Sequence, residues 1–181
     1  MPEIRLECSA DRGAVRELVT AAFGDDHAAR LVDLLRDSPG YVPELTFVAV
    51  EDGRLVGHVM FSHIGLVTVA GPVQPLLCLS PLAVAPHAQR RGVGSALVTH
   101  GLAAADDRGE PLVVVEGNPA LYRRYGFVTA SDDGLERPSD RIPEEGFMSR
   151  RLGAYDPRLR GRVVYPEPFW AVDAVGPSSR D

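Results

Sequence analysis

Residues 82–97 read Leu-Ala-Val-Ala-Pro-His-Ala-Gln-Arg-Arg-Gly-Val-Gly-Ser-Ala-Leu, and their types and spacing suit the holding of an anion. Hydrophobic residues end at Val84, and a helical pattern starts just beyond Gln89. The free N–H groups and positive dipole end of a helix N-terminus attract negative charge. Gly92 and Gly94 carry no side chains, so a diphosphate could approach the backbone closely. Arg90 and Arg91 add charge-assisted contacts, worth about 1.5–3 kcal/mol each when well placed. Other phosphate loops fit poorly. The nucleoside-triphosphate loop needs Gly-Lys-Ser/Thr, which is missing. The dinucleotide fingerprint needs a small residue at position 97, where Leu97 stands. An ordinary loop with surface arginines is the competing reading of this pattern alone.

The elements that must position this turn follow from periodicity. Ile4–Glu7 is expected as a strand. Ser9 or Asp11 then caps a helix carrying Val15, Leu18, Val19, Ala22 and Phe23 on one face, which Gly24 ends. Asp25 or Asp26 starts a second helix with Ala28, Leu31, Leu34 and Leu35. Leu45–Glu51 and Arg54–Leu66 form a hairpin about Asp52-Gly53, and Gln74–Val84 is a further strand. A helix runs on to about Asp107, with Val93, Leu97, Gly101 and Ala104 in one stripe. Pro111–Glu116 is a central strand, because Val113-Val114-Val115 leaves no polar face. A short helix over Pro119–Tyr125, a strand at Phe127–Ala130, and strands at Phe147–Leu152 and Gly161–Tyr165 complete the order. The order β-α-α-β-β-β-α-β-α-β-β implies a mixed sheet flanked by helices. A single domain is expected over 1–175, with 176–181 as a frayed tail.

Bulk composition narrows the function classes. At 181 residues, 45% hydrophobic and 24% charged, the chain is globular. No apolar run approaches the ~20 residues that span a bilayer. No signal peptide is expected from Met-Pro-Glu-Ile-Arg, which points to the cytoplasm. Cys8 and Cys78 make neither a disulfide framework nor zinc spacing, and no metal is expected. Cys78 reads as a small buried hydrophobe. A net charge of −6 argues against nucleic-acid binding. All 19 basic residues are arginine, and residues 1–89 carry a net −5 against −1 for the rest. An anionic ligand is therefore expected on the second half and a cationic one nearer the first.

About 25 residues beyond the glycine turn comes Gly117-Asn118-Pro119-Ala120-Leu121-Tyr122-Arg123-Arg124-Tyr125-Gly126-Phe127. Here the sequence resembles the GNAT superfamily of acyl-CoA N-acyltransferases. Two motifs carry the resemblance: Leu-Ala-Val followed by Gln-x-x-Gly-x-Gly, and Leu-Tyr-x-x-x-Gly-Phe, in the family's order and separation. The form of the second motif is closest to the YhbS-like bacterial acetyltransferases.

The resemblance implies a GNAT-like central mixed sheet and acetyl-CoA as acyl donor. Leu82, Ala83 and Val84 would offer backbone groups to the pantetheine arm. Gln89, Arg90, Arg91, Gly92, Val93, Gly94 and Ser95 would wrap the diphosphate. Tyr122 aligns with the family's general acid, which protonates the departing thiolate; its alternative is an aromatic filling the core beside Phe127. Tyr125 would pack near the coenzyme or the core. Many members place an asparagine seven residues before the tyrosine, where this chain has Val115. Asn118 is thus a coenzyme contact only in second place, behind turn formation and helix capping. Glu116, at a strand end, is the first choice of general base, ahead of Glu51, His58 and His63. The Val84 N–H is the choice for stabilising charge on the carbonyl oxygen. The expected activity is acetyl transfer to an amine of a small molecule or peptide, in a ternary complex. Alternatives are a non-catalytic acyl-CoA-binding regulatory module and an enzyme for longer acyl-CoAs. The acceptor's walls are expected from the first two helices, the hairpin and the loop Ser131–Glu145. Oligomeric state is left open, a homodimer being one option.

Overall fold

The computed structural model describes residues 2–68 and 71–177. Its strands are β1 (Glu3–Leu6), β2 (Tyr41–Glu51), β3 (Arg54–Thr68), β4 (Gln74–Val84), β5 (Leu112–Glu116), β6 (Val128–Thr129), β7 (Leu135–Glu136), β8 (Phe147–Arg151) and β9 (Gly161–Val164). The helices are α1 (Arg12–Phe23), α2 (His27–Arg36), α3 (Val93–Asp107), α4 (Pro119–Tyr122) and α5 (Glu167–Ala171). The strands belong to one mixed, mostly antiparallel sheet flanked by helices, which is the expected fold class. The described residues pack as two compact units, and β3 and β4 each run through both.

The first unit holds the residues up to Ser62 together with Ser80–Ala105. β1 pairs antiparallel with β2, and β2 with β3. Asp52 and Gly53 turn the hairpin with φ of 51° and 73°, the double left-handed turn that suits the strands' twist. Side chains alternate along β3, so Gly57 and Phe61 share the face that α3 covers. A Cβ on Gly57 would lie 2.7 Å from Leu97 Cδ1, and one on Gly101 would lie 2.3 Å from Phe61 Cε2. Glycine at both positions is what lets α3 lie this close. The opposite face carries His58, which is fully buried. Its Nε2 is 2.9 Å from Glu7 Oε2, and Arg36 Nη2 is 2.8 Å from Glu7 Oε1. Desolvation holds His58 below its ordinary pKa, against the pull of Glu7.

The second unit holds His63–Leu79 and the residues from Asp106 onward. β5 lies parallel to β4 (Cys78 opposite Val114) and antiparallel to β8 (Glu116 opposite Phe147). Leu112–Val115 are buried, as their unbroken apolar run predicts. β6 adds to β8; the last residues of β3 pair with β9, which pairs in parallel with β7. Buried Asp133 accepts from the Ser149 hydroxyl and from Arg151 Nε, which fastens the polar loop to β8.

Departures from expectation occur in both units: in the first, β2 begins at Tyr41 rather than Leu45, and Phe23 and Leu34, foreseen on the apolar faces of their helices, are exposed. The strand foreseen over Phe127–Ala130 is only Val128–Thr129, because the chain turns into a 3₁₀ segment at Ala130–Asp133. β7 and α5 carry no periodic signal, one being two residues long and the other five. The helix foreseen over Pro119–Tyr125 is α-helical to Tyr122 and then 3₁₀ over Arg123–Tyr125. In α3 the buried residue is Ala105 rather than Ala104. Of the tail at 176–181, Gly176 is hydrogen-bonded to Glu116, and 178–181 lie outside the described residues.

Candidate active site

The anion turn belongs to the first unit. β4 ends at Val84, the Ala85 N–H donates to the Val56 carbonyl at 3.0 Å, and Pro86–Ala88 make one 3₁₀ turn. The Gln89 side chain then reaches back, its Nε2 donating to the Val84 carbonyl at 3.1 Å. This bond ties the strand's end to the residue that opens the turn.

Arg90 and Gly92 both take left-handed backbone, with φ of 60° and 88°, and α3 starts at Val93. A Cβ at Gly92 would meet nothing within 4 Å, and one at Gly94 would lie 3.4 Å from Val84 Cγ2. The protein's own packing thus leaves room at both. Gly92 answers to its positive φ. Gly94 has no such need, and a Cβ there would make ordinary contact with Val84 and Leu82. Leu82 and Val84 are half-buried and Ala83 is buried. Arg91 Nη2 is 2.9 Å from Glu51 Oε1, so Glu51 is engaged as a partner for arginine.

The second unit holds the titratable cluster. Asn118 Oδ1 accepts from the Ala120 N–H at 2.9 Å, so its side chain is occupied as the cap of α4. The next turn delivers Tyr122, which is 7% exposed. Its ring stands edge-on to Phe127, with centroids 5.6 Å apart. A Cβ on Gly117 would lie 2.6 Å from Tyr122 Cε2, so the ring is seated on bare glycine backbone. Burial raises the Tyr122 pKa, with Cys78 and Tyr125 adding to it, and the hydroxyl keeps its proton at neutral pH. Tyr125 is half-buried beneath the Arg124 guanidinium, which lies 5.3 Å from its ring centroid.

Glu116 ends β5 and is half-buried. Its Oε1 accepts from the Gly176 N–H at 2.9 Å, and the Tyr165 hydroxyl lies nearby. Burial raises its pKa, while these two groups and Arg141 pull it down. Cys78 is fully buried, and its thiol is held neutral by desolvation with Glu116 adding to the effect. A neutral, buried thiol suits packing and not nucleophilic attack.

Neither Tyr165 nor Gly176 was signalled by the sequence, since each lies about fifty residues or more from Glu116. The other base candidates are engaged elsewhere: His58 is buried against Glu7, and His63 Nε2 is 3.0 Å from Glu110 Oε1.

A cavity of 450 Å³ opens in this unit beside the loop foreseen as an acceptor wall. Its lining includes Ser131, Glu136, Arg137, Glu144, Phe147 and Arg162. Phe147 is the cross-strand partner of Glu116. Among the described residues, no cluster of three His, Cys, Asp or Glu could hold a metal, and no helix is long and apolar enough to cross a membrane.

Known proteins place this arrangement. A family model described as an acetyltransferase (GNAT) domain matches residues 3–130. The uncharacterized N-acetyltransferase YhbS of Escherichia coli K12 is 35% identical over 172 residues, covering 92% of this chain and 97% of that protein. The uncharacterized N-acetyltransferase YjhQ of the same organism is 34% identical over 165 residues, covering 88% and 89%. The crystal structure of Escherichia coli YhbS in complex with CoA superposes with a TM-score of 0.82 at 32% identity, over 93% of this chain and 91% of that one. A GNAT family acetyltransferase from Brucella melitensis in complex with acetyl-CoA gives 0.74 at 28%, over 93% and 98%. With both motifs placed in this fold, the chain belongs to the GNAT family and is an acyl-CoA-dependent acetyltransferase.

Proposed function

We propose that the protein transfers acetyl from acetyl-CoA to an amine of a small molecule or peptide, by direct attack in a ternary complex. The observation that carries this is the turn Gln89–Gly94, where two glycines without side chains stand at the start of α3 and the space at Gly92 is open. Two relatives of the same fold hold CoA or acetyl-CoA. The domain is taken as residues 1–175, acting in the cytoplasm.

In this reading the backbone of Arg90–Ser95 receives the diphosphate, with Arg90 and Arg91 supplying charge. Leu82–Val84 receive the pantetheine arm, and Tyr125 and Asn118 flank the coenzyme. Acetyl-CoA supplies an activated thioester carbonyl. The neutral amine forms the N–C bond, and the Val84 N–H takes up the charge growing on the carbonyl oxygen. Glu116 accepts the proton that leaves nitrogen. As the C–S bond breaks, the Tyr122 hydroxyl donates its proton to the departing thiolate. That hydroxyl carries its proton at neutral pH, and burial, which raises its pKa, makes it a weaker acid than a free tyrosine.

Two measurements test this. Acetyl-CoA should raise the melting temperature by mass action, and thiol release should appear with members of an amine panel. Stabilisation by NAD or ATP but not by coenzyme A would sink the reading. The Arg90→Ala/Arg91→Ala variant should bind acetyl-CoA about ten-fold or more weakly. The deficit should shrink with a pantetheine thioester that lacks the phosphates. An equal loss with both ligands would place the arginines elsewhere.

A further inference from the structure

The chain's C-terminal segment closes on the one carboxylate of the titratable cluster. Three elements of the second unit meet at Glu116. Gly176 donates its backbone N–H to Oε1 at 2.9 Å, and the Tyr165 hydroxyl lies near enough to draw the Glu116 pKa down. Gly176 itself sits on the backbone of Arg141, where a Cβ would lie 2.8 Å from the Arg141 carbonyl oxygen. Arg141 Nη2 is 2.7 Å from Asp173 Oδ1, which fastens the segment a second time.

The segment is well packed between these points. Tyr165 is 3% exposed, its ring stacks on Phe169 with centroids 4.4 Å apart, and Phe169, Val172 and Val175 are buried. Such packing sets where the Tyr165 ring and the Gly176 backbone lie.

We propose that the C-terminal segment Tyr165–Gly176 is a working part of the acetyl-transfer site: Tyr165 and the Gly176 N–H are positioning groups that orient the Glu116 carboxylate to take the proton from the acceptor amine. The inference rests on the reading of Glu116 as the base. The groups facing that carboxylate are the Cys78 thiol from β4, Tyr165 and the Gly176 N–H from the C-terminal segment, and Arg141 from the preceding loop. Phe147, across the strand on β8, adds no charge. The Tyr165 hydroxyl favours the ionised carboxylate, while burial disfavours it. Removing the hydroxyl therefore leaves Glu116 protonated to higher pH, and a protonated carboxyl cannot act as base.

The test is Tyr165→Phe, which keeps the ring on Phe169 and with it the fold, at some cost in melting temperature from the lost hydroxyl. The ratio of variant to wild-type kcat/KM is followed against pH, so that the acceptor's own titration cancels. The ratio should fall on the acid side, recover towards one above the limb, and show the limb moved up by about one pH unit. A loss equal at every pH, or none, would overturn the positioning role. Glu116→Gln with full turnover would remove Glu116 as base, and this proposal with it, while leaving acetyl transfer intact. If wild type acetylated no amine at all, the proposed activity would fall. The titration of ¹³C-labelled Glu116 in both proteins then decides the positioning: an upward shift in Tyr165→Phe supports it, and an unmoved carboxyl overturns it.

Discussion

Tyr122→Phe is expected to lower kcat by about 10²-fold or more, with acetyl-CoA affinity near that of wild type. The substitution removes one hydroxyl and keeps the ring, its edge-on contact with Phe127 and its seat on Gly117. Folding should therefore be preserved, and the loss should appear in the chemical step. Tyr122 is buried and its pKa is raised, so no change of rate from its ionisation is expected in the neutral range. The assay has little background, because the sequence holds no lysine that could acetylate itself. A variant that keeps nearly full turnover, with chemistry shown to limit the rate, would make Tyr122 a packing residue.

Gly117→Ala is expected to lower kcat by roughly 10- to 10²-fold without touching the tyrosine's chemistry. The new methyl would stand 2.6 Å from Cε2 and 3.3 Å from Cδ2 of the Tyr122 ring. Contacts this short force the ring to move, and the hydroxyl at its far end moves with it. A displacement of about an ångström suffices for a large loss when a proton must pass over hydrogen-bond distance. Acetyl-CoA affinity should fall less than kcat, since Gly117 lies outside the Gln89–Gly94 turn and only its neighbour Asn118 flanks the coenzyme in the proposed reading. The decisive measurement is the double variant with Tyr122→Phe. If the alanine acts only by moving the hydroxyl, it should cost little more once the hydroxyl is gone. Losses that simply multiply would mean that Gly117→Ala acts by another route.

Much of the fold was legible because its signals are local. Gln74–Val84 was read to the residue, and Gly24 was placed as the helix end, where it takes left-handed backbone. The Asp52-Gly53 turn and the buried Val113-Val114-Val115 run follow from turn chemistry and from the absence of a polar face. The glycine turn and the Tyr122 motif were legible for the same reason, since each is a contiguous run whose spacing carries its chemistry. Capping by Asn118 is likewise a matter of two residues.

Tertiary structure alone decided whatever depends on residues far apart in the chain meeting in space. Gly57, Gly101 and Gly117 look alike in the sequence. Only the packing shows that the first two admit α3 against β3 and that the third seats Tyr122. Glu51 and His58 were open as bases until the fold paired one with Arg91 and buried the other against Glu7. Tyr165 and Gly176 reach Glu116 across 49 and 60 residues of chain, and no periodicity encodes such a meeting. Spacing along a sequence states which groups share an element. Which carboxylate is desolvated, and which donors face it, is a property of the closed chain.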